Sequence, residues 1–187
     1  ERWPDKTLIV SRDKIDKIRG VKEKLLAYER FLTENPEYIE TTLLILICIP
    51  GRASADERME NEIFTIVERI NSCAPNIASE RPVVVLNQDI QFEQYLALLS
   101  EAGLFIVSTL REGMNLTCHE FIEASYEDHS PLILSEFVGS ATVLSGGALI
   151  TNPYNIKQVS NAIRTCMQMS PEERERRWKA MHAAVLR

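Results

Sequence analysis

The sequence has few of the residues that build disulfide or metal frameworks. Its four cysteines are widely spaced, it contains no Cys-x-x-Cys pair, and its three histidines are scattered. This pattern argues against a disulfide-stapled secreted domain and against a zinc site. We therefore expect reduced thiols in a cytoplasmic protein, and no bound metal ion.

The chain also lacks long hydrophobic runs and an excess of basic charge. Its longest apolar stretch, Leu43 to Pro50, is far shorter than the ~20 residues that cross a bilayer. The formal net charge is −6, whereas surfaces that bind nucleic acids or membranes broadly are basic. We expect neither a membrane nor a nucleic acid as a partner.

The chain does contain short β-branched apolar runs that alternate with amphipathic stretches. Several of these runs are apolar on consecutive residues, which is typical of strands that are buried on both faces of a sheet. The six predicted strands are Thr7–Val10, Leu43–Ile49, Val83–Leu86, Leu104–Ser108, Leu132–Leu134 and Ala148–Ile150.

Helical patterns separate the predicted strands. Val21, Leu25, Tyr28 and Leu32 recur at intervals of four and three residues, which gives one apolar stripe on a helix through Arg19–Asn35. The other predicted helices lie around Ile63–Ile70, around Tyr95–Leu99 after a cap at Asp89, over Gly113–Tyr126, after Gly139, over Ile156–Met167 and from Ser170 onward.

The alternation of strands and helices predicts a Rossmann-like, doubly wound α/β fold, with a mostly parallel sheet and helices on both faces. The chain of 187 residues suits one domain with a sizeable core, so we predict a single domain over 1–187 with C-terminal helices in 155–187. Ligands of such folds bind beyond the carboxyl ends of the strands. The loops to inspect are Ser11–Gly20, Pro50–Asp56 and Ser108–Glu120.

The first of these loops is rich in positive charge just before a helix begins. Its cations are Arg12, Lys14, Lys17 and Arg19. Cations are unfavourable beside a helix N-terminus, which already carries partial positive charge. A bound phosphate would remove the conflict, because the cations and the free backbone amides would converge on it. The alternative is a solvated loop in which Asp13 and Asp16 neutralise the cations.

The segment after the fourth predicted strand reads Arg111-Glu112-Gly113-Met114-Asn115-Leu116. Glycine lets the backbone approach a ligand closely, and the amides that follow face whatever lies above the helix. Glu120 comes slightly more than one helical turn after Asn115, where a carboxylate can accept hydrogen bonds from two sugar hydroxyls. The alternative is that Glu112 is an ordinary first-turn helix acid and Glu120 a surface charge.

Taken in order, these segments resemble the trehalose-6-phosphate synthase family of retaining glycosyltransferases with the GT-B fold. The family fold has two Rossmann-like halves: the C-terminal half binds UDP-glucose, and the N-terminal half supplies most of the glucose-6-phosphate site. This chain resembles the C-terminal half, from about Leu8 to Tyr154. The stretches that carry the resemblance are Asp13–Gly20 with the following Leu25–Glu29, then Arg111–Leu116, Leu132–Gly139 and Asn152–Tyr154.

The resemblance implies roles for charged residues. The resemblance places Lys14 where the family has an arginine and Arg19 where it has a lysine, and in the family this pair binds the UDP diphosphate. Each difference exchanges a planar guanidinium for a single ammonium charge, or the reverse, which changes how phosphate oxygens are bound. Glu112 replaces an aspartate that helps to hold the donor glucose. Its extra methylene moves the carboxylate by roughly 1 Å, enough to disturb a preorganised site.

The resemblance also implies contacts with the rest of the donor. Glu120 matches the acid that binds the uridine ribose, and Ile90 matches a position whose backbone meets the uracil. Arg52 is matched to an arginine that contacts the acceptor phosphate. UDP or UDP-glucose is then the ligand, with no cofactor and no metal ion. The backbone implied to surround the sugar and diphosphate is that of Gly113, Met114, Asn115 and Leu116.

With these departures the chain resembles most the synthase-like domain of fungal regulatory subunits of the trehalose synthase complex. That implies a regulatory or structural role in trehalose biosynthesis, beside the catalytic synthase and phosphatase subunits and an N-terminal GT-B half. The main alternative is the donor half of an active synthase, which transfers glucose from UDP-glucose to glucose 6-phosphate. Another GT-B enzyme, or the synthase-like domain of a trehalose phosphatase, also stays open. We expect no turnover by this chain alone.

Overall fold

The computed structural model describes residues 3, 5–49, 57–75, 81–88 and 90–186. Its six strands are β1 Thr7–Lys14, β2 Thr42–Ile49, β3 Val83–Leu86, β4 Ala102–Val107, β5 Leu132–Ser135 and β6 Leu149–Thr151. They form one sheet in the order β3-β2-β1-β4-β5-β6, and every neighbouring pair is parallel. The predicted Rossmann-like α/β fold is therefore confirmed.

Helices cover both faces of the sheet, as predicted. They are α1 Val21–Glu34, α2 Glu57–Asn71, α3 Phe92–Ser100, α4 Leu116–Ala124, α5 Ala141–Leu144, α6 Ile156–Met167 and α7 Pro171–Val185. Helices α1, α2 and α6 pack on one face, and α3, α4, α5 and α7 pack on the other. Among the helices that the structure describes, none combines the length and the apolar character needed to cross a membrane.

Successive residues of the central strands contribute to two different hydrophobic cores. Ile9 packs with the core beneath α1 and α6, whereas Val10 packs with the core beneath α4 and α7. Both side chains are fully buried, because neighbouring residues of a strand point to opposite faces of the sheet. This double burial explains why the predicted strands are apolar on consecutive residues.

The structure moves several of the predicted boundaries by a few residues, and three of them lie at the site. Strand β1 continues beyond Val10 because its polar end stays paired with β2, up to Lys14 opposite Ile49. Helix α4 begins at Leu116 rather than at Gly113, because Asn115 caps it. Helix α1 begins after the left-handed Gly20 rather than at Arg19. The cap predicted at Asp89 lies outside the described residues.

The strand order reverses between β1 and β4, which lie side by side at the centre of the sheet. In doubly wound sheets the crevice beyond the carboxyl ends of the strands at such a point is the usual ligand site. Two segments leave the sheet there, residues 15–20 after β1 and residues 108–115 after β4. These segments carry the cationic loop and the glycine turn that the sequence singles out.

Gly20 lies where these two segments touch. Its φ is 66°, and a Cβ at this position would lie 2.1 Å from the Ser108 carbonyl oxygen. The Ser108 hydroxyl donates to the Gly20 carbonyl at 2.9 Å, and the Leu110 N–H donates to the Ile18 carbonyl at 2.6 Å. Only glycine fits this left-handed position without displacing the neighbouring backbone.

This close approach predicts that Gly20→Ala lowers the free energy of unfolding by about 2–4 kcal/mol, through strain and overlap with Ser108. Gly113→Ala is the matched control, because no described atom lies within 4 Å of the Cβ it would add. The control should change stability by no more than about 0.5 kcal/mol. Urea denaturation measures both, and equal losses would contradict the tight contact at Gly20.

Candidate functional site

A pocket of about 240 Å³ opens at the carboxyl ends of β1 and β2. The structure thus brings the cationic loop and the glycine turn to one place, as the sequence predicts for Lys14, Arg19, Glu112, Met114, Asn115 and Leu116. The full set of lining residues is Arg12, Asp13, Lys14, Arg19, Ile49, Glu112, Met114, Asn115, Leu116 and Thr117.

Asp16 shapes the loop that carries Arg19 to the pocket. One Asp16 carboxylate oxygen, Oδ1, accepts hydrogen bonds from the backbone N–H groups of Ile18 and Arg19, each at 2.8 Å. Short polar side chains commonly fold a turn around themselves in this way. The other oxygen, Oδ2, lies 3.9 Å from Arg19 Nε. Asp16 therefore orders the loop, and it also offsets part of the Arg19 charge.

Arg19 reaches across the crevice to Glu112. Arg19 Nη1 donates to Glu112 Oε1, and Asn115 Nδ2 donates to Glu112 Oε2 at 2.8 Å. The Glu112 side chain is 17% exposed, so water screens this pair less than it screens a surface pair. The interpretation of Glu112 as an ordinary first-turn helix acid is wrong, because it lies before the Asn115 cap and its carboxylate binds a cation.

The turn around Gly113 is held by the loop that follows β5. The Gly139 N–H donates to the Gly113 carbonyl at 2.7 Å, and the Asn115 N–H donates to Ser140 Oγ at 3.0 Å. The predicted glycine-containing turn at Gly139 therefore supports the turn at Gly113. The outer side of Gly113 is open, since no described atom lies within 4 Å of where its Cβ would be. A ligand can approach the backbone on that side.

The side chain of Asn115 is already used inside the protein. Its Oδ1 accepts from the Cys118 N–H at 3.0 Å and from the Thr117 hydroxyl at 2.6 Å, while its Nδ2 orients Glu112. This is the arrangement of a helix N-cap. The side chain therefore fixes the start of α4, and the Asn115 N–H is bonded to Ser140; the predicted ligand contact of this residue stays a prediction.

Three predicted site residues do not line this pocket: Glu120, Ile90 and Gly113. The Tyr95 hydroxyl donates to Glu120 Oε2 at 2.9 Å, so Glu120 is a half-buried, partnered carboxylate and not a plain surface charge. Burial, and then the bond to Glu120, raise the pKa of Tyr95, which keeps its hydroxyl protonated as a donor. Ile90 packs at the edge of the α4 core. Arg52 lies outside the described residues.

Sequence reasoning missed a buried ion pair behind the pocket. Lys24 of α1 is fully buried, and its Nζ donates to Asp13 Oδ2 at 2.5 Å and also to Ser11 Oγ. The interpretation in which Asp13 neutralises the loop cations is therefore wrong, since its partner is Lys24. A signal existed, because Lys24 falls on the helical stripe of Val21 and Tyr28, three and four residues away.

Sequence reasoning also left Arg12 out of the ligand contacts. Arg12 lines the pocket, and its guanidinium carbon lies 4.5 Å from the centre of the Tyr95 ring. Arg12 was left out because β1 was predicted to end at Val10, whereas the strand continues to Lys14. Once β1 extends to Lys14, Arg12 and Lys14 are two residues apart on the same strand and leave the same face of the sheet.

The chemistry that this arrangement offers is anion binding. Within the described ranges no cluster of three or more His, Cys, Asp or Glu side chains is placed to hold a metal ion. Burial raises the pKa of Cys118 to about 12, and that of Cys48 likewise. Both thiols are therefore protonated at neutral pH and poor nucleophiles. The cations Arg12, Lys14 and Arg19 and the open Gly113 backbone remain as the binding elements.

Comparison with known proteins agrees with this geometry. The model of glycosyltransferase family 20 matches residues 1–187. The chain belongs to glycosyltransferase family 20. The predicted family is thereby confirmed.

Fungal family 20 proteins are similar to the whole chain. The trehalose synthase complex regulatory subunits TPS3 and TSL1 of Saccharomyces cerevisiae are each 55% identical to it over 186 residues. These matches cover 100% of the chain but 18% and 17% of the two relatives. A UDP-forming trehalose-phosphate synthase of Botryotinia fuckeliana is 37% identical over 182 residues, which is 96% of the chain and 34% of that protein. The chain thus spans less than a fifth of its two regulatory relatives.

Solved family 20 structures share the fold. The N-terminal domain of trehalose-6-phosphate phosphatase from Candida albicans superposes with a TM-score of 0.93 at 38% identity. A UDP-forming trehalose-phosphate synthase from Burkholderia xenovorans superposes with a TM-score of 0.91 at 30% identity. Both comparisons cover 98% of this chain, and 39% and 41% of the solved chains. The chain therefore has the architecture found in one part of these proteins.

The buried ion pair behind the pocket predicts that Lys24→Met lowers the free energy of unfolding by about 3–5 kcal/mol, because it leaves Asp13 buried without a countercharge. Lys22→Met is the matched control, two residues away on α1, since its pair with Glu62 is exposed and such pairs contribute about 0–1 kcal/mol.

Urea denaturation measures the stability of each variant. Adding Asp13→Asn to Lys24→Met should recover most of the lost stability, because the second change removes the unpaired charge. A double variant as unstable as Lys24→Met would contradict the assignment of the loss to a buried charge.

Proposed function

We propose that this chain is the donor-side domain of a synthase-like regulatory subunit of the trehalose synthase complex, and that it keeps a site for UDP or UDP-glucose. The regulatory assignment is supported by the 55% identity to two regulatory subunits along the whole chain, against 37% to a UDP-forming synthase. Its proposed partners are the catalytic synthase and phosphatase subunits and an N-terminal GT-B half, in the cytoplasm. No cofactor or metal ion takes part.

One observation carries the proposed donor site: Lys14, Arg19 and the open side of the Gly113 turn meet at the point where the strand order reverses. A diphosphate in this pocket would bond with both cations, and charge-assisted bonds of this kind are stronger than neutral ones. The same point in other doubly wound folds binds nucleotides. Arg19 has a planar guanidinium with several N–H donors, and Lys14 has an exposed ammonium group. Together they suit an anion with several oxygens.

Glu112 favours a regulatory role over catalysis. Transfer from a sugar nucleotide needs electrostatic stabilisation of the departing diphosphate, which requires cations that are free to take up its charge. Here Arg19 already binds the Glu112 carboxylate and lies near Asp16. A bound diphosphate would have to displace one carboxylate and tolerate its negative charge nearby. We infer a donor site that binds weakly and turns over poorly.

The second candidate is the donor half of an active synthase. It is favoured by the placement of two cations in the pocket and by the likeness to a UDP-forming synthase structure. The two candidates differ in the activity of the full-length protein. Release of UDP from UDP-glucose by that protein alone, in the presence of glucose 6-phosphate, would support the second candidate and contradict the first.

The donor site predicts micromolar to millimolar binding of UDP and UDP-glucose in isothermal titration calorimetry. Arg19→Ala should weaken it by about 10- to 100-fold, the effect of losing one charge-assisted bond of about 1.5–3 kcal/mol. Arg164→Ala is the control, because Arg164 is exposed on α6. A folded chain that binds neither ligand would be a scaffold without a donor site, and unchanged binding by Arg19→Ala would place the ligand elsewhere.

Competition between Glu112 and a diphosphate for Arg19 makes a second prediction. Glu112→Gln should strengthen UDP binding by about fivefold, because it removes roughly 1 kcal/mol of competing charge attraction. Glu175→Gln is the control, since that carboxylate pairs with Lys179 on α7. If Glu112 instead serves only as a sugar ligand, the substitution will weaken UDP-glucose binding and leave UDP binding unchanged.

A further inference from the structure

Arg12 is a third cation of the pocket, and the diphosphate contacts assigned to Lys14 and Arg19 do not include it. We propose that Arg12 binds the phosphate nearest the ribose, the α-phosphate of the nucleotide. This inference rests on the proposed nucleotide site and adds to it one residue, which binds a part of the ligand that no other residue is assigned to. Arg12 would then select for nucleotides over nucleosides.

The position of Arg12 on β1 directs it to the same pocket as the other two cations. It lies two residues before Lys14, so both side chains leave one face of the sheet, and both line the pocket with Arg19. Its Nε is buried, and no described residue accepts a hydrogen bond from it. Buried donors in proteins nearly always have an acceptor, so a ligand acceptor would complete this side chain.

Tyr95 is a platform for Arg12. The guanidinium carbon lies over the ring, 4.5 Å from its centre, where the face of the ring attracts the cation. The ring is 1% exposed, and its hydroxyl is fixed by Glu120. The guanidinium is therefore oriented before a ligand arrives, which lowers the entropy lost on binding.

The charges of the pocket leave Arg12 available. Of the two carboxylates in the lining, Asp13 pairs with Lys24 and Glu112 pairs with Arg19. Neither of these two carboxylates pairs with Arg12, so within the described lining its positive charge can act on an incoming anion. A phosphate oxygen is the acceptor that a guanidinium fork binds best.

The neighbours of Arg12 decide which phosphate it meets. Through Tyr95 it adjoins Glu120, the residue predicted to bind the ribose. Within the pocket it adjoins Lys14 and Arg19, predicted to bind the diphosphate. The group that lies between the ribose and the sugar-side phosphate of the ligand is the α-phosphate.

The test measures binding of uridine, UMP and UDP by calorimetry, or by NMR titration where affinity is millimolar. Arg12→Met keeps an apolar side chain on Tyr95 but removes the charge. It should weaken the binding of UMP and of UDP by about tenfold each and leave the affinity for uridine unchanged. Arg12→Lys keeps the positive charge and should lose less affinity for UMP and UDP than Arg12→Met. Arg19→Ala should weaken UDP more than UMP. Arg164→Met is the control, and thermal melting checks that each variant is folded.

The possible results separate this proposal from the donor site itself. Unchanged UMP affinity in Arg12→Met overturns the α-phosphate contact, and if Arg19→Ala still weakens UDP, the donor site stands without it. Uridine affinity that falls as much as UDP affinity shows that Arg12 acts only by supporting Tyr95, which also overturns the proposal. A folded wild-type chain that binds none of the three ligands overturns the proposal and the donor site together.

Discussion

The contact between Gly20 and Ser108 holds together the two segments that leave the centre of the sheet, and the pocket depends on it. There is no room for a side chain at Gly20, and the Ser108 hydroxyl bonds to its carbonyl. This places Arg19 against Glu112, although 93 residues separate them in the chain. A local backbone constraint thus decides which charges face each other across the crevice.

Those charges fall into two groups. The carboxylates Asp13 and Glu112 are matched by Lys24 and Arg19, so part of the charge in the pocket is fixed inside the protein. Lys14 and Arg12 also line the pocket, where the proposed phosphate would lie. Under the proposed function, this division would let the fold attract a sugar nucleotide while the cation that catalysis needs is shared with an internal carboxylate.

The sequence was sufficient for the architecture because strands buried on both faces and amphipathic helices leave periodic patterns. It also located the cationic loop and the glycine turn, since both follow strands that end at one edge of the sheet. It missed the polar end of β1, where Ser11 to Lys14 have no apolar pattern and pair only because β2 lies beside them. The partners of Asp13 and Glu112 were missed for a related reason, because side chains from distant segments meet only after folding.

A crystal structure of this chain with UDP-glucose tests the proposed donor site most directly. We expect the diphosphate at the carboxyl ends of β1 and β4, with its oxygens within hydrogen-bond distance of Lys14 and Arg19 and with Glu112 moved away from Arg19. A nucleotide bound on another face, with the bond between Arg19 and Glu112 intact, would contradict it.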